Sequence, residues 1–176
     1  MPRKKLIRSD QFPYHVTSRS NNKEWFYIPI ECVWSYCNTL LNEGKIKFNV
    51  QIDAFVLMRN HYHLCIRTPE SNIDLFMRYF NKNLAQNIAR HAKRINRIFG
   101  GPYKWSLITK EAYYLNVIRY IYQNPLRANI VDFCEQYPYS DLKEQKFSPE
   151  MFNWINKTIS KREVSLTSKN LKKYQI

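Results

Sequence analysis

Residues 48–67 constrain the fold more than any other stretch. Phe48 to Met58 is rich in Val, Ile and Phe, and His61 to Arg67 is a second apolar run. Only Arg59-Asn60 separates them, so the two read as adjacent strands of a hairpin. Side chains alternate along a strand with period two, which places His61 and His63 on one face. Tyr62, Leu64 and Ile66 then point the other way, toward a core. Histidine is the commonest metal-binding side chain near neutral pH, and two on one face make half of a metal site. Taken alone, a His-x-His pair on a strand is more often a pair of ordinary polar-face residues than of ligands.

Around this hairpin the chain offers a regular order of elements. Tyr14 to Arg19 alternates and predicts a first strand. Pro29 to about Asn42 predicts a helix, with Val33, Tyr36, Cys37, Leu40 and Leu41 on one face and Gly44 closing it. After the hairpin, Asn72 to Phe99 carries Ile73, Phe76, Met77, Phe80, Leu84, Ile88, Ile95 and Ile98 at three- and four-residue steps, predicting one long amphipathic helix. Arg78, Lys82, Arg90, Lys93, Arg94 and Arg97 fall on its other side. Gly100-Gly101 turns the chain into a short strand over 103–108, and Glu111 to about Gln123 predicts a helix stopped near Pro125. Strand-helix-strand-strand-helix-strand is the ferredoxin-like split βαβ pattern. The expected class is therefore α+β: an antiparallel sheet with two helices on one face, and an additional helix from Glu111 free to cross to the other.

The chain has 176 residues and a formal net charge of +14, from 28 Lys and Arg against 14 Asp and Glu. That excess predicts a polyanionic partner, nucleic acid first and an anionic membrane surface second. No apolar run approaches the ~20 residues of a spanning helix, and the basic start Met1-Pro2-Arg3-Lys4-Lys5 leads into no apolar signal segment. The expected compartment is the cytoplasm, with Cys32, Cys37, Cys65 and Cys134 as reduced thiols. A small-molecule substrate is not expected.

The helix from Glu111 is notable for the tyrosine off its apolar stripe. Leu115, Ile118, Ile121 and Tyr114 face one way. Tyr120 and Asn124, one turn apart, lie on the opposite, polar side. Brought over the histidine face, His61, His63 and the Asn124 carbonyl oxygen would supply three ligands to a divalent cation. A metal on a non-bridging phosphate oxygen stabilises the charge that resists attack on a phosphodiester. Tyr120 could then displace a sugar oxygen and hold the phosphate covalently. Asn124 before Pro125 has a competing reading as the N-cap of a turn over Leu126–Ile130. His15, on the first strand, is either a further ligand or a structural histidine.

At these residues the chain resembles the single-tyrosine HUH transposases, in particular the REP-associated tyrosine transposases. The resemblance is carried by residues 14–22 (YHVTSRSNN), by Phe55 to Leu64, by Phe80-Asn81, and by residues 119–128 (RYIYQNPLRA). It implies a ferredoxin-like nuclease fold, Mg²⁺ or Mn²⁺, and cleavage and rejoining of single-stranded DNA beside hairpins through a 5′-phosphotyrosine. His61 and His63 match the metal-binding histidines, Tyr120 the nucleophile, and Asn124 the polar third ligand. Ser20, Arg59 and Asn129 depart from the pattern, which usually has Gly, Pro and Gly there. They bear on loop geometry and sequence preference, not on the metal or nucleophile positions. The implied transposase domain covers 1–145, followed by a basic, partly helical extension over 146–176.

Arg19, Lys104, Arg119 and Arg127 are expected to contact DNA around the site, and Trp105 either to stack on a base or to fill the core. The expected partner is single-stranded or hairpin DNA, bound by a monomer or homodimer. The alternative reading is a domesticated protein that binds hairpin DNA without cutting it.

Overall fold

A four-stranded antiparallel sheet organises residues 5–157, the part of the chain that this computed structural model describes. The elements run β1 (Tyr14–Arg19), α1 (Ile30–Phe48), β2 (Gln51–Leu57), β3 (His61–Arg67), α2 (Ile73–His91), β4 (Lys104–Leu107), α3 (Glu111–Tyr122), α4 (Asn124–Arg127) and α5 (Pro149–Asn156). The strand order is β2-β3-β1-β4, with every neighbouring pair antiparallel. This is the ferredoxin-like arrangement that the order of elements predicts.

The pleat of the sheet divides the molecule into two cores. Tyr14 and Val16 of β1, Phe55 and Leu57 of β2, and Tyr62, Leu64 and Ile66 of β3 are fully buried in one cluster with Val33, Cys37, Phe76, Phe80 and Leu84 of α1 and α2. Each such side chain contributes ~1.5–3 kcal/mol by leaving water. The Tyr62 hydroxyl donates to Asn81 Oδ1 of α2 at 2.6 Å, so the one polar atom on this face of β3 is satisfied. The other face carries Ala54, Val56, Met58 and Cys65, and α3 covers it with Val117, Ile118, Ile121 and Tyr122. The C-terminal segment closes this second layer. Leu57 N donates to the Tyr139 carbonyl at 2.9 Å, and Val56 bridges to Ser140, so the outer edge of β2 is covered.

Both long helices end elsewhere than the sequence pattern predicts. α1 runs through Gly44 to Phe48 and is capped by Asn49 in the left-handed region at φ 50°. Gly44 is inside the helix because α2 passes close by: a Cβ there would lie 2.6 Å from Phe76 Cε2. The expected strand start at Phe48 shifts accordingly to Gln51. α2 stops at His91 rather than continuing to Phe99. Lys93, at φ 50°, occupies the left-handed position of a Schellman end, with Lys93 N bonded to the Arg90 carbonyl and Arg94 N to that of Ala89. Ile95 is consequently exposed, while Ile98 returns to the core. Asn129 is also left-handed, at φ 54°, a conformation that glycine favours and asparagine tolerates.

Within the expected C-terminal extension, α5 packs on α3: Ile155 is fully buried, and its carbonyl accepts from Gln123 Nε2 at 2.6 Å. The end of that extension, residues 158–176, and residues 1–4 of the basic start lie outside the described residues. Among the described residues, no helix is long and apolar enough to cross a membrane.

The packing makes two predictions. Gly44→Ala gains helix propensity but drives a methyl into the buried, stacked Phe76 ring. Net destabilisation of about 1–3 kcal/mol is expected in denaturant titration, and an unchanged or raised midpoint would contradict the close approach. Asp141 ties three elements together: its Oδ1 accepts from Phe55 N at 2.8 Å and from the Tyr122 hydroxyl at 3.0 Å, and its Oδ2 accepts from Gln145 at 3.1 Å. Burial pushes its carboxyl up to about 6 from the usual 3.8. The native state therefore holds this proton where the unfolded chain has released it, and the contribution to stability falls as pH rises from about 4 to 6. Asp141→Asn removes that loss, so its stability relative to the parent should grow by on the order of 2 kcal/mol across the window and then level off. A difference that stays constant between pH 4 and 7 would refute the assignment.

Candidate active site

The register of the sheet assembles the site before any helix is added. On β3, His61 pairs with Arg19 of β1 and His63 with Thr17, while Thr17 pairs with Lys104 of β4. Residues directly opposite across antiparallel strands share a face, so Arg19, Thr17, Lys104, His61 and His63 form one polar patch. His15 continues it, paired with Cys65 and Ser106. This is the face away from α1 and α2. The Arg78–Arg97 row on and after α2 belongs to the other layer.

α3 delivers the tyrosine. Tyr113, Val117, Tyr120 and Asn124 follow at helical spacing, and this row faces the sheet. The Tyr120 ring stands edge-on to His63, with centroids 5.4 Å apart at 86°, and to His15 at 5.9 Å and 78°. The Arg127 guanidinium lies 5.4 Å from the Tyr120 ring centroid. Burial pushes the phenol up from its ordinary value, and Arg127 and Arg19 pull it back. Tyr120, Asn124, His61, His63, Thr17, Arg19, Lys23, Lys104 and the turn 100–102 line one open cleft of about 670 Å³.

Hydrogen bonds decide which atoms of the histidines face outward. Asn60 Nδ2 donates to the Lys23 carbonyl at 2.6 Å, leaving its Oδ1 to accept from His61 Nδ1 at 2.6 Å. His61 therefore keeps its proton on Nδ1 and presents the Nε2 lone pair. His63 Nδ1 is 3.0 Å from His15 Nε2, and the two rings stack at 5.2 Å. When His63 donates in this bond, its Nε2 is likewise free to ligate. Burial, with Arg19 nearby, holds His61 at about 4; burial alone brings His15 to about 4. Burial and its charged neighbours hold His63 lower still than its ordinary value. All three rings are neutral at physiological pH, as metal ligands must be.

The structure does not give Asn124 the N-cap role. It is the first residue of α4, and its side chain does not cap that turn. Instead Nδ2 donates back to the Tyr120 carbonyl at 2.7 Å and to that of Ile121 at 3.2 Å. Two carbonyl acceptors fix the amide's orientation and leave Oδ1 as the atom it can offer the cleft. Among the described residues, no group of three His, Cys, Asp or Glu side chains could hold a metal ion. A cation here would need an amide or phosphate oxygen beside the two imidazoles.

Two expected DNA contacts are not brought to the cleft. Arg119 is buried on the opposite side of α3, where it donates to the Lys157 carbonyl and its guanidinium lies 4.8 Å from the Trp154 ring. Trp105 pairs with Val16 and so faces the helical core, edge-on to Tyr14 at 6.2 Å. The sequence reading also missed Lys23 and Asn60, which hold or line the site from loops; the adjacent Asn21-Asn22 pair, with Asn22 at φ 52°, is the only local signal of that bend.

The site is a histidine pair on the α3-covered face of a ferredoxin-like sheet, with a helical tyrosine above it. The chain belongs to the IS200-like transposases: that family's model matches residues 9–124, from before β1 through Asn124. Among solved structures, a REP-associated tyrosine transposase bound to a REP hairpin matches with a TM-score of 0.73 at 16% identity, over 91% of this chain and 93% of that one. A putative transposase from Deinococcus radiodurans R1 matches at TM-score 0.46 and 15% identity, over 69% and 94%. No curated protein matches.

The hydrogen-bond pattern predicts that metal-free protein, followed by ¹⁵N-resolved histidine spectra, will show His61 with its proton on Nδ1 and no protonation between pH 7 and about 5. A His61 titrating near its ordinary 6.5 would contradict the buried, Asn60-bound arrangement.

Proposed function

We propose that this transposase cleaves and rejoins single-stranded DNA beside a hairpin, with Tyr120 as nucleophile. The observation that carries the reading is the Tyr120 ring standing over His63 in a cleft shared with Arg19 and Lys104. His61 Nε2, His63 Nε2 and Asn124 Oδ1 would hold Mg²⁺ or Mn²⁺. When bound, such a cation stabilises negative charge on a non-bridging phosphate oxygen. Tyr120 forms a bond from its phenolic oxygen to phosphorus, and the bond from phosphorus to the 3′ oxygen breaks. Overall one proton passes from the phenol to the departing 3′-hydroxyl. The product is a 5′-phosphotyrosine that a 3′-hydroxyl of another strand can reverse, which conserves the phosphodiester for joining.

Arg127 and Arg19 favour the phenolate, and Arg19 and Lys104 are placed to pair with backbone phosphates. Arg119 and Trp105 have no part in this scheme. The fold match to a transposase bound to a REP hairpin supports a structured DNA end as the substrate.

Incubation with an oligonucleotide that carries a hairpin and single-stranded flanks, in the presence of Mn²⁺, should trap a covalent protein–DNA adduct on a denaturing gel. Tyr120→Phe is expected to lower adduct yield at least a hundredfold while hairpin binding stays within a few-fold. Adduct formed at parental yield by Tyr120→Phe would overturn the mechanism. Tight hairpin binding by the parent chain with no adduct on any flanking sequence would point to a non-cleaving binding protein instead.

A further inference from the structure

Trp25 is the most exposed aromatic ring among the large hydrophobic side chains described, at 64% of its surface. The Arg59 guanidinium lies over it, 4.3 Å from the ring centroid. Exposing a tryptophan forfeits one of the largest apolar burials available to a side chain, and most of the chain's aromatics are packed in the two cores. The exposure is not a fraying end. Phe26, next in sequence, is buried edge-on to Phe99 and donates its N–H to the Arg59 carbonyl at 2.7 Å. Ser20 N donates to the Asn60 carbonyl at 2.8 Å, and Asn60 Nδ2 to that of Lys23. The 20–26 segment is thus stitched to the β2–β3 turn on both sides of Trp25.

That turn is the one that positions the catalytic cleft. Arg59 is two residues before His61, so their Cα atoms lie within about 7 Å, and Lys23, two residues before Trp25, lines the cleft with His61. We infer that Trp25 and Arg59 form a stacking site for one unpaired base of the DNA strand that enters the cleft. The inference rests on the proposed action on single-stranded DNA and adds a place for a specific nucleotide. A tryptophan face accepts any base. A guanidinium stacked on the ring fixes its plane, adds cation–π attraction and can reach the adjoining phosphate. Charge selects the occupant. Arg19, Lys23 and Lys104 line the cleft, Lys23 is two residues before Trp25, and the chain as a whole carries +14.

The test measures binding without cleavage, using Tyr120→Phe protein in chelator and fluorescence anisotropy of a labelled hairpin with and without a single-stranded flank. Success or failure here is independent of whether Tyr120 is the nucleophile. Trp25→Ala is expected to weaken binding of the flanked hairpin about tenfold to a hundredfold, and that of the blunt hairpin less than threefold. Trp25→Phe should retain most of the affinity, and Arg59→Ala should lose several-fold. An abasic scan of the flank should find one position whose removal costs affinity in the parent and nothing further in Trp25→Ala. The inference is overturned by unchanged flanked-hairpin affinity in Trp25→Ala, by equal loss on blunt and flanked hairpins, or by absence of any such abasic position. A Trp25-dependent change in the mass of the free protein by sedimentation would assign the ring to a protein contact and would also overturn it. Should Trp25→Ala not fold, Arg59→Ala with the abasic scan decides on the same criteria.

Discussion

The structure depends on the two-sidedness of β3. Its odd-even alternation sends Tyr62, Leu64 and Ile66 into the core beneath α1 and α2, where all three are fully buried. The burial of these three side chains is worth several kcal/mol, and a one-residue slip in register would turn all three toward α3 and drive the imidazoles into the core beneath α1 and α2. Holding one face in the core thereby fixes His61 and His63 on the other. Every further feature of the site is referred to that choice: Arg19 and Thr17 face the histidines because β1 pairs with β3 in this register, and α3 meets them because it is the element that covers the free face.

Electrostatics then separates the roles of the buried polar groups. The imidazoles are driven neutral by burial and by the cations around the cleft, so they cannot serve as proton donors at neutral pH but are well suited as ligands. The tyrosine meets the opposite problem, since burial also disfavours its ionised form, the one the proposed attack on phosphorus requires. Arg127 and Arg19 counter that penalty from two sides. A phosphate entering the cleft would bring its own negative charge to these arginines. Positive charge from another source is then needed to ionise the phenol, which is why a histidine pair with open Nε2 atoms is the fitting companion to this tyrosine. Asn60 holds the proton of His61 on Nδ1, and His15 meets Nδ1 of His63, so each bears on which nitrogen its neighbour can offer the cleft.

Much of this was legible in the sequence because it rests on local periodicity. The strands, the hairpin, the face shared by His61 and His63, and the placement of Tyr120 off the main apolar stripe all follow from period-two and period-3.6 patterns, and the family match covers the same stretch. What was not legible depends on contacts distant in sequence. Gly44 reads as a helix stop until the Phe76 ring is placed against it. The end of α2 is set by Lys93 in a left-handed conformation that no glycine or asparagine announces, so Ile95 and Ile98 prolong the apparent stripe by coincidence. Arg119 lies one residue from Tyr120 and reads as a site cation, yet the α5 segment packs on its side of the helix and takes it. Trp105 alternates correctly on β4, but which face is the core is decided by its pairing with Val16.

The arrangement is tested most directly by crystals of the protein soaked in Mn²⁺, with data collected for the anomalous signal of the ion. One peak should lie in the cleft within coordinating distance of Nε2 of both His61 and His63, beside Asn124 Oδ1 and with the Tyr120 hydroxyl turned toward it. An ion held through His15, or through Nδ1 of His63, or no peak on this face of the sheet while DNA cleavage proceeds, would contradict the account.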